Sequence, residues 1–229
     1  MALKMERTAE LRDELTAKGR EPISLAMGAP TCRPPQFVID EIKKLVDIDA
    51  MHTYSSPKGE KTYLEAVASR MKKRFGVELN PKTEICSLIG SKEGIANMIR
   101  ALINPKHDIK DKDIILTPNP SYASYKEMVK VSGGYSYSVP LTPENNFMPD
   151  LDEVWDNLIQ DGFDPKKVKA LLVNYPSNPL GATATLDYYK KAVEFCKKHH
   201  ILLIGDSAYC DLYYDENKIS FYTDGIVKM

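Results

Sequence analysis

From about residue 85 the chain alternates between short apolar runs and longer stretches whose apolar residues recur with helical spacing. This alternation is typical of βαβ units, in which helices connect the strands of a parallel sheet. The runs predict strands over residues 85–89, 113–117, 135–139, 168–174 and 201–205. The stretches between them predict helices over residues 93–103, 122–131, 151–160 and 186–199.

Two of the predicted strands, KALLVN and ILLIG, show no alternation of polar and apolar residues. Continuously apolar strands are expected when helices cover both faces of a parallel sheet. Gly133 and Gly134 follow the helix over 122–131 and are expected to end it, since glycine accepts the left-handed backbone of helix ends. Upstream, helices are predicted over 36–47 and 61–75, and the first 30 residues predict an arm with one helix and an extended segment at 22–27.

Composition and charge limit the kinds of molecule that this chain is expected to bind. The chain has 229 residues, 43% of them hydrophobic, which is enough to form a sizeable core. Its 31 basic and 32 acidic residues give a net charge of -1, so neither nucleic acid nor an anionic membrane surface is an expected partner. The charged N-terminal segment lacks a signal-peptide core, and no run approaches the about 18 apolar residues of a membrane span. These features predict a cytoplasmic protein.

Cysteines and histidines show no metal-ligand spacing. The four cysteines form no C-x-x-C pair, and the four histidines match no pattern such as H-E-x-x-H. We therefore expect free thiols and no metal site.

Polar residues follow four of the predicted strands: Gly90-Ser91-Lys92-Glu93-Gly94, Pro118-Asn119-Pro120-Ser121-Tyr122, Tyr175-Pro176-Ser177-Asn178-Pro179 and Asp206-Ser207-Ala208-Tyr209. In open parallel sheets ligands bind beyond the carboxyl ends of the strands. The four loops are therefore expected to face one crevice.

The Gly90-Ser91-Lys92 segment opens a helix, where backbone N–H groups and the helix dipole favour an anion. A serine hydroxyl and an ammonium group strengthen that preference, so the segment predicts a phosphate site. In isolation Ser91 has a simpler explanation as a helix cap. Neither G-x-x-x-x-G-K-S/T nor G-x-G-x-x-G is present, which disfavours a nucleotide-binding module.

Asp206 ends an apolar strand, where ionisation costs desolvation unless a cation or a donor lies nearby. A protonated heterocyclic nitrogen would stabilise the carboxylate, and Tyr209 and Asn178 could bind an oxygen of the same ring. Alone, each residue has a structural explanation: Asp206 as a helix cap, Asn178 as a turn residue, and Tyr209 as a core aromatic. On adjacent strand ends they favour a ligand site.

The segments GSKEG, NPSYASY, NYPSNPLGA and DSAYCDLYYD, in this order, resemble those of the class I/II aminotransferases, pyridoxal-phosphate enzymes of fold type I. ISLAMGAPTCRPP resembles the family's N-terminal substrate loop, and YSSPKGEKTYLEAVASRM resembles its tyrosine-plus-glycine segment. Within the family, GSKEGI and the D-x-A-Y segment are most similar to the LL-diaminopimelate and the aspartate or alanine members.

The resemblance implies an α/β fold with a mostly parallel sheet flanked by helices, the large domain of this enzyme class. It implies an N-terminal arm or small-domain segment over residues 1–35 and a pyridoxal-phosphate domain over 36–229, incomplete at its C-terminal end. The implied partners are an amino acid, a 2-oxo acid and a second copy of the chain in a homodimer.

Site roles carry over by matching motif. Ser91 and Lys92 would hold the cofactor phosphate, and Tyr122 would stack on the pyridine ring. Asn178 and Tyr209 would bind the 3-oxygen of the ring, and Asp206 would pair with its nitrogen. Gly28 would lie near the substrate carboxylate. Tyr54 would reach the phosphate of the partner subunit, although an ordinary interface or core aromatic is the alternative.

The sequence departs from the family in that it contains no recognisable segment with the Schiff-base lysine, with the arginine that follows it for the phosphate, or with the later arginine for the substrate carboxylate. Lys218 and Lys228 are the only lysines after Asp206, and neither has the expected context. Three hypotheses follow: an aminotransferase lacking that lysine in this chain, a lyase or decarboxylase of the same fold, or a non-catalytic or split-gene fragment that binds the cofactor weakly. A nucleotide-binding α/β module is the alternative from another class.

Overall fold

The computed structural model describes residues 2–23, 28 and 32–212. Residue contacts divide the chain into two compact units, Met1–Tyr54 and Ser55–Met229. A compact unit is not by itself a domain that folds alone, so the predicted domain boundary between residues 35 and 36 stays a prediction.

The first unit contains helices α1 (Ala2–Ala17) and α2 (Gln36–Val46) and a 3₁₀ turn at Asp49–His52. The predicted helix over 36–47 is confirmed, and it begins directly after Pro35. Proline favours this position because its fixed φ suits the start of a helix and the missing N–H would have no partner there. Most of the predicted extended segment, residues 24–27, lies outside the described residues.

The second unit contains the remaining elements. In chain order they are α3 (Lys61–Phe75), α4 (Ser91–Leu102), β1 (Ile114–Asn119), α5 (Ser124–Val131), β2 (Tyr135–Pro140), α6 (Leu151–Gln160), a 3₁₀ turn (Pro165–Lys167), β3 (Val168–Asn174), α7 (Leu186–His199) and β4 (Leu202–Asp206). Helices α3, α6 and α7 and strand β3 have the predicted bounds, and the other predicted elements found here differ by one or two residues at one or both ends.

The four strands form one parallel sheet in the order β2-β1-β3-β4. Successive residues of β1 and β3 point to opposite faces: Ile114 and Leu116 pack with α6 and α7, whereas Ile115 packs with α4 and α5. Both faces are therefore covered, which explains why these strands are mostly apolar. The α/β fold with a parallel sheet flanked by helices is confirmed.

The predicted strand over 85–89 is wrong. Those residues form no strand, and Leu88 and Ile89 are 48% and 97% exposed. The Ser87 amide donates to the Lys58 carbonyl oxygen at 2.8 Å rather than to a strand of the sheet. An apolar run becomes a strand only with a ladder partner for its backbone groups, and the described part of the chain supplies none at this position.

The end of α5 has the predicted glycine geometry. Gly133 has a positive φ of 84°, and the Gly134 amide donates to the Val129 carbonyl oxygen at 3.0 Å. A Cβ atom at Gly133 would lie 2.8 Å from the Cβ atom of Pro105. Glycine is thus required here both by backbone conformation and by space.

His199, at the end of α7, is expected to make stability depend on pH. Its ring lies against those of Trp155 and Phe195, with centroid distances of 3.8 and 4.7 Å, and its buried Nε2 has no hydrogen-bond partner within the described residues. Burial, with a smaller contribution from the Lys198 charge, lowers the pKa of His199 below its ordinary 6.5.

The unfolded chain therefore binds this proton more readily than the folded chain, and stability should fall as pH decreases below about 6.5. Urea unfolding at pH 7.5 and pH 5 measures the loss. His199→Phe keeps the ring contacts without a titrating group and should show a smaller loss, whereas exposed His107→Gln should behave as the wild type. Equal losses in all three proteins would contradict this origin.

Candidate functional site

A cavity of about 200 Å³ lies at the carboxyl ends of β3 and β4. Its lining contains six of the eight predicted site residues: Ser91, Lys92, Tyr122, Asn178, Asp206 and Tyr209. Parallel strands end at the same edge of the sheet, which is why residues distant in sequence meet there. Gly28 and Tyr54 belong to the first unit, and both are exposed.

Asp206 ends β4, and two donors orient its carboxylate. The Tyr125 hydroxyl donates to Oδ2 at 2.6 Å, and the Ala208 amide donates to Oδ1 at 3.3 Å. An ionised carboxylate offers about four acceptor positions, so two donors leave capacity for another. The oriented carboxylate can therefore accept a hydrogen bond from a ligand in the cavity.

Tyr125 is a site residue that the sequence reasoning missed. Its side chain is only 1% exposed, and burial, followed by the hydrogen bond and charge of Asp206, raises the pKa of this phenol well above its ordinary range. The hydroxyl therefore remains a donor to Asp206. The available signal was its spacing: Tyr125 follows Tyr122 by three residues, which places both on one face of a helical turn.

Tyr125→Phe should lower the free energy of unfolding by about 1.5–3 kcal/mol, the usual contribution of a hydrogen bond to a charged group. Urea denaturation measures the change. Tyr137→Phe is the matched control because it removes a hydroxyl that donates to exposed Asp161 at 2.8 Å. The control should lose about 1 kcal/mol or less. A loss as large as that of Tyr125→Phe would mean that the Tyr125–Asp206 hydrogen bond contributes no more than the exposed one at Asp161.

Asn174, the last residue of β3, connects the strand end to two of the site loops and was also missed. Its Nδ2 donates to the Asp206 carbonyl oxygen at 2.9 Å, and its Oδ1 accepts from the Asn178 amide at 2.8 Å. The Asn178 Nδ2 in turn donates to the Tyr209 hydroxyl at 3.2 Å. One hydrogen-bonded chain thus fixes Asn178 and Tyr209 relative to Asp206. The signal in the sequence was a polar residue ending an apolar strand.

The start of α4 favours a negatively charged ligand, in contrast to the Asp206 carboxylate. The cap position is Gly90, which has no side chain to cap the helix, and the nearby Glu93 carboxylate accepts from the Ile89 amide at 3.1 Å. The alternative in which Ser91 merely caps its helix is therefore not what the structure contains. The first amides of a helix have no intrahelical acceptor, so they can bind an anion.

Lys92 adds a positive charge beside this helix end. Its Nζ lies 5.4 Å from the centroid of the Tyr122 ring. Hydrogen bonding to Lys92, and then to Ser124, lowers the pKa of the Tyr122 phenol. Tyr122 also contacts the Tyr125 ring edge-on, with centroids 5.6 Å apart. The Tyr122 ring is thus held in the cavity by a cation and an aromatic neighbour.

A larger groove of about 640 Å³ lies between α6 and α7. Two of its carboxylates are already engaged: that of Asp150 caps the first amides of α6, and that of Asp152 pairs with Lys198 at 2.7 Å. The smaller cavity is the better candidate because it combines an uncapped helix end with a carboxylate that retains acceptor capacity.

Two further functions receive no support from the described residues. None of the helices in that part of the chain is long and apolar enough to cross a membrane. Within the same residues, no group of three or more His, Cys, Asp or Glu side chains could hold a metal ion. Each of the four cysteines is a free thiol.

Comparison with known proteins gives one consistent result. The family model for aminotransferase class I and II matches residues 20–227. An LL-diaminopimelate aminotransferase from Nitratidesulfovibrio vulgaris is 39% identical, with 91% of this chain and 50% of the relative covered. A protein of the same name from Aquifex aeolicus is 38% identical, with 90% and 50% covered.

Among solved structures, an aspartate aminotransferase from Thermotoga maritima is similar with a TM-score of 0.80 and 27% identity. The match covers 96% of this chain and 55% of that one. The chain spans about half the length of the curated relatives it matches.

Proposed function

Because the chain belongs to the class I and II aminotransferases, which use pyridoxal 5'-phosphate, we propose that its cavity binds this cofactor for transfer of an amino group between an amino acid and a 2-oxo acid. One observation carries the proposal: an oriented carboxylate, a tyrosine–asparagine pair and an uncapped helix end with a lysine line a single cavity.

The anionic part of the cofactor fits the start of α4. Its phosphate would accept hydrogen bonds from the first amides of the helix and from the Ser91 hydroxyl, and Lys92 would neutralise part of its charge. Gly90 at the cap position has no side chain to compete for those amides, and the Glu93 carboxylate bonds the Ile89 amide instead. Among the described residues Lys92 is also the one lysine that lines the cavity.

The ring of the cofactor fits the other side chains. Asp206 would accept a hydrogen bond from the protonated ring nitrogen, using acceptor capacity that Tyr125 and Ala208 leave free. Asn178 and Tyr209, already hydrogen-bonded to each other, would bind the ring oxygen, and Tyr122 would stack on the ring. When bound, the cofactor acts as an electron sink for the carbanion formed at the α-carbon of the amino acid. Asp206 would keep the proton on the ring nitrogen, and Tyr125 orients the carboxylate for that role.

The remaining predicted roles extend this proposal to the whole protein. We propose a homodimer in which Tyr54 reaches the phosphate bound by the partner subunit, and its fully exposed side chain is compatible with an intersubunit contact. Gly28 would lie near the substrate carboxylate. Residues 1–35 would form the arm and residues 36–229 the cofactor domain. LL-diaminopimelate is the first substrate to test because the matched relatives are LL-diaminopimelate aminotransferases.

The experiment that tests cofactor binding is a titration of the protein with pyridoxal phosphate, pyridoxal and ATP, followed by absorbance or calorimetry. The proposal predicts that pyridoxal phosphate binds more tightly than either of the others. Preference for ATP would contradict it and favour the nucleotide-binding alternative.

Treatment of the bound complex with borohydride tests covalent attachment. Lys218 and Lys228 lie outside the described residues, and we propose that this chain lacks the Schiff-base lysine, so borohydride should leave the cofactor unattached. A covalent adduct on a lysine, located by peptide mass spectrometry, would contradict that proposal.

Product analysis separates the catalytic alternatives. An aminotransferase forms a new amino acid only when a 2-oxo acid is supplied, whereas a lyase releases ammonia or a thiol without one. Reversible binding of the cofactor with neither product would favour the non-catalytic or split-gene alternative.

A further inference from the structure

The loop after β4 carries Tyr209, and its own backbone contacts are local. The Cys210 amide donates to the Ser207 carbonyl oxygen at 3.1 Å, and the Leu212 amide donates to the Tyr209 carbonyl oxygen at 3.0 Å. Such bonds define the turn but do not fix the turn relative to the rest of the second unit. That requires contacts with distant residues.

Arg70 supplies such a contact. Its Nη2 donates to the Oδ2 of Asp211, a residue 141 positions later in the chain and two residues after Tyr209. Arg70 projects from α3, which buries Leu64 and Phe75. The loop is therefore held at three points: Cys210 packs against the core, Asn178 bonds the Tyr209 hydroxyl, and Arg70 bonds the carboxylate of Asp211.

We propose that Arg70 is a positioning residue for the cofactor site, which holds the 208–212 turn so that the Tyr209 hydroxyl stays beside Asn178. Its effect on the cofactor rests on the proposed function, whereas its effect on the turn does not.

The exposure of this ion pair indicates a local rather than a global role. The side chains of Arg70 and Asp211 are 57% and 52% exposed. Ion pairs in water contribute little to the stability of a whole fold, because solvent screens the charges and two long side chains must be ordered. Loss of the pair should therefore loosen the turn and leave the melting temperature of the whole fold unchanged.

Hydrogen exchange of the protein without cofactor tests the positioning directly. Arg70→Met should raise the exchange rates of the amides in the 208–212 turn about fivefold, with an unchanged melting temperature. Lys72→Met is the matched control, because Lys72 lies on the same helix and forms an exposed pair with Glu78 at 2.6 Å. It should leave the turn unchanged. Unaltered exchange in Arg70→Met would overturn the inference.

A titration with pyridoxal phosphate tests the consequence at the site. Arg70→Met should raise the Kd about threefold to fivefold and shift the absorbance of the bound cofactor, since Tyr209 would bind the ring oxygen. Exchange of the charges, Arg70→Asp with Asp211→Arg, should restore both. An unchanged Kd and spectrum in Arg70→Met would overturn the role at the site.

The two readouts keep this inference separate from the proposed function. A wild-type protein that binds no pyridoxal phosphate would contradict the proposed function, and the exchange rates would still decide whether Arg70 positions the turn.

Discussion

Asp206→Asn is expected to slow chemistry at the α-carbon of a bound amino acid by roughly 100-fold, while it weakens cofactor binding less than tenfold. The reason is that the carboxylate would keep the ring nitrogen protonated, and the protonated ring stabilises the negative charge that develops during the reaction. Removal of such stabilisation typically costs on the order of a hundredfold or more in rate. An amide side chain still occupies the same space, so binding changes less.

The measurement is the exchange of the α-proton of an amino acid in ²H₂O, followed by NMR at saturating pyridoxal phosphate, with the rate of free cofactor subtracted. The Kd comes from absorbance titration of the same variant. Asp161→Asn, which removes an exposed carboxylate bonded by Tyr137, is the control and should match the wild type. Equal losses in rate and in affinity would mean that Asp206 only binds or only supports the fold.

Lys92→Met is expected to weaken binding of pyridoxal phosphate by about 10-fold to 100-fold and binding of pyridoxal far less. A charge-assisted hydrogen bond contributes about 1.5–3 kcal/mol, and only the phosphorylated ligand forms it. Methionine keeps much of the length of the lysine side chain and removes the charge. Calorimetric titration with both ligands gives the difference.

Lys130→Met serves as the control because it removes an exposed charge from the last turn of α5. The control should bind both ligands as the wild type does, and any other pattern in Lys92→Met would identify another role for that lysine. Equal weakening of both ligands would mean that the lysine acts through the Tyr122 ring that it contacts rather than through the phosphate.

The sequence predicted the covered, parallel part of the fold well because that part obeys local rules. Helix α6 has the predicted bounds since its apolar face is periodic and Asp150 caps it through two backbone amides. Strand β3 is apolar from Ala170 to Val173 because α4 and α5 cover one face and α6 and α7 the other. The run at 85–89 is also largely apolar but has no ladder partner among the described residues, and composition cannot supply one.

Most of the candidate site was predicted from residues that follow strands. Ser91 and Lys92 were predicted from the helix start that they form, although no strand precedes them in the described structure. The sequence missed residues whose decisive contact comes from elsewhere. Asp206, Asn178 and Tyr209 stand at strand ends, so the topology of a parallel sheet brings them together. Tyr125 reaches Asp206 from a helix. Arg70 reaches Asp211 from 141 residues away, and no local pattern marks such a pair.

The most direct test of the account is to map where pyridoxal phosphate binds by NMR titration of ¹⁵N-labelled protein. Binding at the strand ends predicts the largest shifts in the backbone amides of Ser91, Lys92 and Tyr209 and in the side-chain amide of Asn178. Shifts confined to the α6–α7 groove, around Asp152 and Lys198, would contradict the account.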